Sequence, residues 1–182
     1  MLKTKNSFFK GILIFTLISI IIGTFLCAVD VATPGKGLLI VIARILGILS
    51  FLFSTYYILY GYSKDDAKYY KICGWFFLLA YLLSLIGEIV YGKNAAAIIF
   101  SSIAFVCICI LVIGKNLGKT ISLLLCVVTF VLNIATVIVV YCAADSASVI
   151  ITASAWSKLI LAFVYGVCTV AKYIDKTERG AK

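Results

Sequence analysis

Residues 37–61 read GLLIVIARILGILSFLFSTYYILYG, 25 residues with a single charge, Arg44. At about 1.5 Å per residue such a helix is about 37 Å long, enough to cross about 30 Å of hydrocarbon. A guanidinium in hydrocarbon is costly, so its placement needs a protein or water environment. Ala43, Gly47, Ser50, Ser54, Tyr57 and Gly61 recur at alternating four- and three-residue steps. That spacing puts small and polar groups on one helical face, the kind of face that packs against other membrane helices. Arg44 sits at its edge, so the spacing predicts that it looks into protein.

The rest of the chain has the same character. It has 182 residues, 64% of them hydrophobic, and a mean hydropathy of +1.20. A soluble domain needs far more surface charge, so composition alone predicts an integral membrane protein of one domain. The net charge of +9 would suggest nucleic acid in a soluble protein. Here the basic residues fall between apolar stretches, where they set orientation and meet anionic lipid headgroups. The expected partner is therefore the lipid bilayer and no nucleic acid.

Six apolar stretches follow one another, at about 11–30, 37–61, 72–91, 95–114, 120–144 and 149–171, with a charged tail over 172–182. Each is near the roughly 20 residues of a membrane helix, whereas membrane strands are about half as long and alternate in polarity. The predicted fold is an all-α, six-transmembrane-helix bundle. Pro34-Gly35, the polar run 62–71, Lys93-Asn94, 115–119 and 145–148 supply the turns. The two halves show no self-similarity of the kind seen in inverted-repeat transporters.

Orientation follows from the basic residues. Lys3, Lys5 and Lys10 precede the first helix, and its apolar run exceeds a signal-peptide core of about 7–15 residues, so it reads as an uncleaved helix. Twelve basic residues fall on the side of the head, second loop, fourth loop and tail, and only Lys36 and Lys93 on the other. Both termini are therefore expected in the cytoplasm, with Tyr56, Tyr57, Tyr60, Tyr62, Tyr69, Tyr70 and Trp75 at the cytoplasmic interface. Fourteen of the sixteen basic residues are Lys, the usage of an AT-rich, bacterial genome, which makes the expected location a bacterial cell membrane.

The other helices also carry one polar stripe each. These are Thr16, Ser19, Gly23 and Asp30; Gly74, Tyr81, Ser84, Glu88 and Tyr91; Ser122, Cys126, Thr129, Asn133 and Thr136; and Ala155, Lys158, Ala162, Gly166 and Thr169. The fourth helix is weaker, with Ala97, Ser101 and Ala104. Counted from the middle of the second loop, Arg44 and Glu88 are level in the outer half of the membrane, which predicts an Arg44–Glu88 ion pair. Asp30 and Asn133 also fall in the outer half, and Lys158 near the midplane, too deep to snorkel easily. Lys158, Arg44, Glu88, Asn133, Tyr81 and Asp30 are the candidate ligand-binding residues. Two cations around a partly satisfied Glu88 point to an anionic or zwitterionic small molecule.

Other chemistry is missing from the sequence. There is no His, hence no imidazole acid–base catalysis and no Cys/His zinc set. Neither GxSxG nor a phosphate-cradling GxxxxGK[ST] occurs. The seven Cys, at 27, 73, 107, 109, 126, 142 and 168, form no CxxC and read as small apolar packing residues. The topology also admits a Cys27–Cys142 disulfide at the outer rim. No catalytic residue, metal site or cofactor is expected, and the chain is not expected to be an enzyme.

In topology alone the chain resembles the substrate-binding membrane subunits of energy-coupling-factor vitamin importers, six-helix proteins of about this length with a pocket facing outward. Their first helix carries an alanine-spaced docking face, where this chain has Ser19 and Gly23. The resemblance implies a small-solute binding or transport protein, or a transporter subunit, with an outward-facing polar pocket. The alternative is an accessory membrane subunit without a ligand, joined to another membrane protein or to its own copies, whose intramembrane charges form a structural ion pair.

Overall fold

The structure, a computed structural model, describes residues 7–32, 37–61, 67–91, 94–114, 117–143 and 149–173, with side chains except at 91 and 149–154. The basic head residues Lys3 and Lys5, the Pro34-Gly35 turn, Lys36, Lys64, Lys93, Lys115, the 145–148 turn and residues 174–182 of the tail lie outside that set. Six long helices account for nearly all of it: α1 (Ser7–Ala32), α2 (Leu38–Tyr56), α3 (Ala67–Tyr91), α4 (Ala95–Ile113), α5 (Lys119–Ala143) and α6 (Val149–Lys172). A single π turn, Tyr57–Gly61, continues α2. All six are long and apolar enough to cross a membrane.

Three details differ from the sequence reading, the first being that α1 starts at Ser7, four residues before the apolar run at 11. The π turn replaces the last α turn of the second span, and the Tyr57 N–H donates to the Phe53 and Ser54 carbonyls as it begins. The wider turn keeps Tyr57, Ile58 and Gly61 on the buried side. Helix α3 starts at Ala67, five residues before the apolar run at 72. Lys68 to Lys71 read as loop because they are polar, but Lys and Tyr are good residues for a helix end at a membrane interface. Helix α4 begins on Asn94, whose Oδ1 accepts from the Ala97 N–H at 3.2 Å.

Consecutive helices pack side by side, and α6 closes the ring against α1 while also touching α2, α3 and α5. Consistent with that central place, 61% of its apolar window is buried, against 22% for α5. The α1–α2–α6 junction is tight because two glycines permit it. A Cβ on Gly23 would run into the Phe51 ring and stand 2.9 Å from Ile160 Cγ2, and one on Gly47 would touch Leu161 and Cys27.

The surface is apolar, and the interior, though mainly hydrophobic, holds the polar side chains. Phe8, Ile18, Ile21, Phe25, Leu52, Ile99, Leu124 and Val131 are exposed, whereas Thr16, Ser50, Ser54, Ser101, Thr129, Asn133, Thr136, Ser157 and Thr169 are buried. Water would penalise so much exposed aliphatic surface, and a bilayer does not. The predicted stripes supply most of this polar interior. Thr16, Ser19, Gly23 and Asp30 of α1, Ala43 to Gly61 of the α2 stripe, and Ala97, Ser101 and Ala104 of α4 are all buried. Tyrosines are the exception to the expected interface belt. Tyr56 and Tyr60 are exposed, but Tyr57 and Tyr70 lie in the core, where Tyr70 stacks on Tyr165 at 5.3 Å and its hydroxyl pairs with Thr169 at 3.1 Å. The Cys27–Cys142 disulfide is not formed, because Cys27 is buried inside the bundle and Cys142 faces outward from α5.

Candidate functional site

The charged stripe residues converge near one end of the bundle, where α1 finishes at Ala32, α2 starts at Leu38 and α3 finishes at Tyr91. They pair differently from the sequence expectation. Arg44 Nε donates to Asp30 Oδ2 at 2.8 Å, and both side chains are within 2% of full burial. Arg44 Nη1 donates to Ser84 Oγ at 3.3 Å. Glu88 is paired with Lys158 instead, through Oε1.

Helix geometry accounts for the exchange. Arg44 lies six residues inside α2, about 9 Å from its end at about 1.5 Å per residue. Ser84 is at nearly that depth, whereas Glu88 is only three residues, or about 5 Å, from the end of α3. Counting from the second loop made Arg44 and Glu88 level; counting from the opposite ends of the helices does not. Asp30 is two residues from the end of α1, and the extended arginine side chain covers the remaining difference. Lys158 starts nine residues inside α6, about 14 Å deep, so its stem must run toward the same end to meet Glu88. It snorkels, but inside the protein.

The Lys158 ammonium also donates to Ser101 Oγ at 3.1 Å and stands 5.4 Å from the centre of the Tyr81 ring. The Tyr81 hydroxyl donates to Asn133 Oδ1 at 3.1 Å, and Asn133 Nδ2 donates to the Thr129 carbonyl at 2.8 Å. Tyr81, Ser84 and Glu88 share one face of α3, so that helix ties the two ion pairs together. All six candidate residues therefore belong to one polar layer, to which every helix contributes. Sequence spacing identified the members, including Ser84 and Ser101, through their stripes. Ser157, fully buried beside Lys158, was missed because it lies off the α6 stripe.

Two properties set Glu88 apart. Its side chain is 23% exposed, while Lys158, Arg44, Asp30, Asn133 and Tyr81 are all at 1–2%. Its second oxygen, Oε2, is buried and has no hydrogen-bond partner among the described residues. A carboxylate is an acceptor on both oxygens, so half of its bonding capacity is unused in the place where an unmade bond is most expensive. The charges of the layer, two cations and two carboxylates, sum to zero.

No protein-family model, characterised protein or solved structure matches this chain. The functional reading rests on the site itself.

Proposed function

We propose that this chain is a multi-pass membrane protein that binds or moves a small solute through a polar site centred on Glu88 and Lys158, held here in a closed arrangement. The observation that carries this reading is the buried Oε2 of Glu88, which has no hydrogen-bond partner among the described residues and sits beside a deeply buried cation, in a side chain that is itself partly uncovered. Ionisable groups at membrane depth are costly, and a half-satisfied one is a functional candidate before it is a structural one. The test is a thermal-unfolding screen of the purified protein against small anions, zwitterions, cations and neutral polar solutes at matched ionic strength. At least one class is expected to raise Tm saturably in the wild type and not in Lys158→Ala. If no solute moves the wild type beyond the salt control, the reading fails.

The second reading, a ligand-free accessory subunit of a larger assembly, is favoured by the Arg44–Asp30 pair, which is fully enclosed and complete. On that reading Glu88–Lys158 is structural too, and the same screen comes out flat.

The proposed setting is a cell membrane of bacterial type with both termini in the cytoplasm, supported by the twelve-to-two distribution of basic residues. Cys142, exposed near the end of α5, reports on it. A membrane-impermeant maleimide added to intact cells is expected to label Cys142; labelling only after lysis would invert the topology.

A further inference from the structure

We infer that the solute is a zwitterion with a primary ammonium and a carboxylate, an α-amino acid or a close analogue, and that it inserts into the Glu88–Lys158 ion pair. The inference rests on the solute site proposed above and narrows its chemistry. It starts from the open oxygen. Glu88 Oε2 can only accept, so whatever completes it must bring an N–H or O–H donor, and an ammonium gives the strongest bond to a carboxylate. A simple anion offers Glu88 nothing but repulsion.

Charge balance supplies the second constraint. Asp30, Arg44, Glu88 and Lys158 already sum to zero. A lone organic cation would leave a net charge inside the bundle, and an uncompensated buried charge is costly. A net-neutral solute avoids that cost. An ammonium on Glu88 therefore calls for a carboxylate on the same molecule, and the nearest cation is Lys158. Its ammonium has three N–H donors and makes two hydrogen bonds, to Glu88 and Ser101; among the described residues the third has only the Tyr81 ring. Placed between the two side chains, a zwitterion restores both ends of the pair, carboxylate to ammonium twice over, with no bond made or broken covalently. The solute is expected to enter from the Glu88 side, since of the four charged side chains Glu88 alone keeps sizeable exposure, 23%, and it lies a turn from the end of α3.

The experiment compares solutes that differ in one feature. The purified full chain is unfolded thermally in detergent with low-millimolar glycine, leucine, N,N,N-trimethylglycine, methylammonium or acetate at constant ionic strength. Glycine or leucine is expected to raise Tm saturably by several degrees. Trimethylglycine is equally zwitterionic but has no N–H, and it is expected to have no effect; methylammonium and acetate each lack one charge and are expected to have none either. Glu88→Gln, which keeps an acceptor for Lys158, is expected to remove the amino-acid response. A trimethylglycine or methylammonium response equal to that of the amino acids overturns the inference, as does no response to either amino acid, or a response that survives Glu88→Gln. Should Glu88→Gln fail to fold, the wild-type comparison of glycine or leucine with trimethylglycine decides alone. If acetate or another non-amino-acid solute shifts Tm while the amino acids do not, the inference fails and the solute-site reading stands; if nothing shifts it, both fail.

Discussion

Arg44→Ala is expected to destabilise the protein by about 3–5 kcal/mol, the usual cost of removing one partner of a buried ion pair. The reason lies in what stays behind. Asp30 is 1% exposed at the end of α1, and its carboxylate would lose the guanidinium held at 2.8 Å. Ser84 would also lose the donor that ties α2 to α3. Replacing both partners with apolar residues of similar volume, Arg44→Met with Asp30→Leu, is expected to recover most of the loss, because no charge is stranded. Chemical unfolding of the detergent-solubilised variants measures both effects. The partner assignment has its own check: exchanging the charges of Arg44 and Asp30 should preserve folding far better than exchanging those of Arg44 and Glu88. Equal or better rescue by the Arg44/Glu88 exchange would show that the pairing described here is wrong.

That contrast marks where reading the sequence stops. The helices were legible because a bilayer demands a run of about 20 apolar residues, and six such runs are visible. The buried faces were legible because a helical stripe needs only the three- and four-residue spacing, which holds from Thr16 to Asp30 and from Ser122 to Thr136. Pairing needs more, since it depends on where each helix ends and how far each side chain leans. Arg44 and Glu88 are nearly equidistant from the middle of the second loop, yet at the other end of the bundle they differ by three residues of depth. Asp30 lies across the α1–α2 turn, and the stripe that puts it on the inner face of α1 does not say which side chain it meets. The tyrosines taught a related lesson. Tyr56 and Tyr60 face outward as an interface belt should, but Tyr57 and Tyr70, one position along in each case from a more exposed tyrosine, turn into the core. Residue type told which depth they occupy, and only the helical face told which way they point.

The Glu88–Lys158 pair should break asymmetrically. Lys158→Met strands Glu88, which is 23% exposed and so is not fully cut off from its surroundings. Glu88→Leu strands Lys158, which is 1% exposed and anchored about 14 Å inside α6. Among the described residues its remaining contacts are then Ser101 Oγ and the Tyr81 ring, and neither carries a negative charge. Glu88→Leu is therefore expected to cost more than Lys158→Met, toward the upper end of about 3–5 kcal/mol for a broken buried pair. The double variant should lose much less stability than the sum of the two single losses, since it leaves neither charge behind, and the cycle gives the coupling directly. Unfolding by denaturant in the same detergent reads all three. The order of the single variants is the informative part. If Glu88→Leu proves milder than Lys158→Met, the ammonium has found water, and the layer around Lys158 opens more readily than its burial indicates. If the predicted order holds, the cation is enclosed and the carboxylate is the reachable partner, so a solute entering the layer meets Glu88 first.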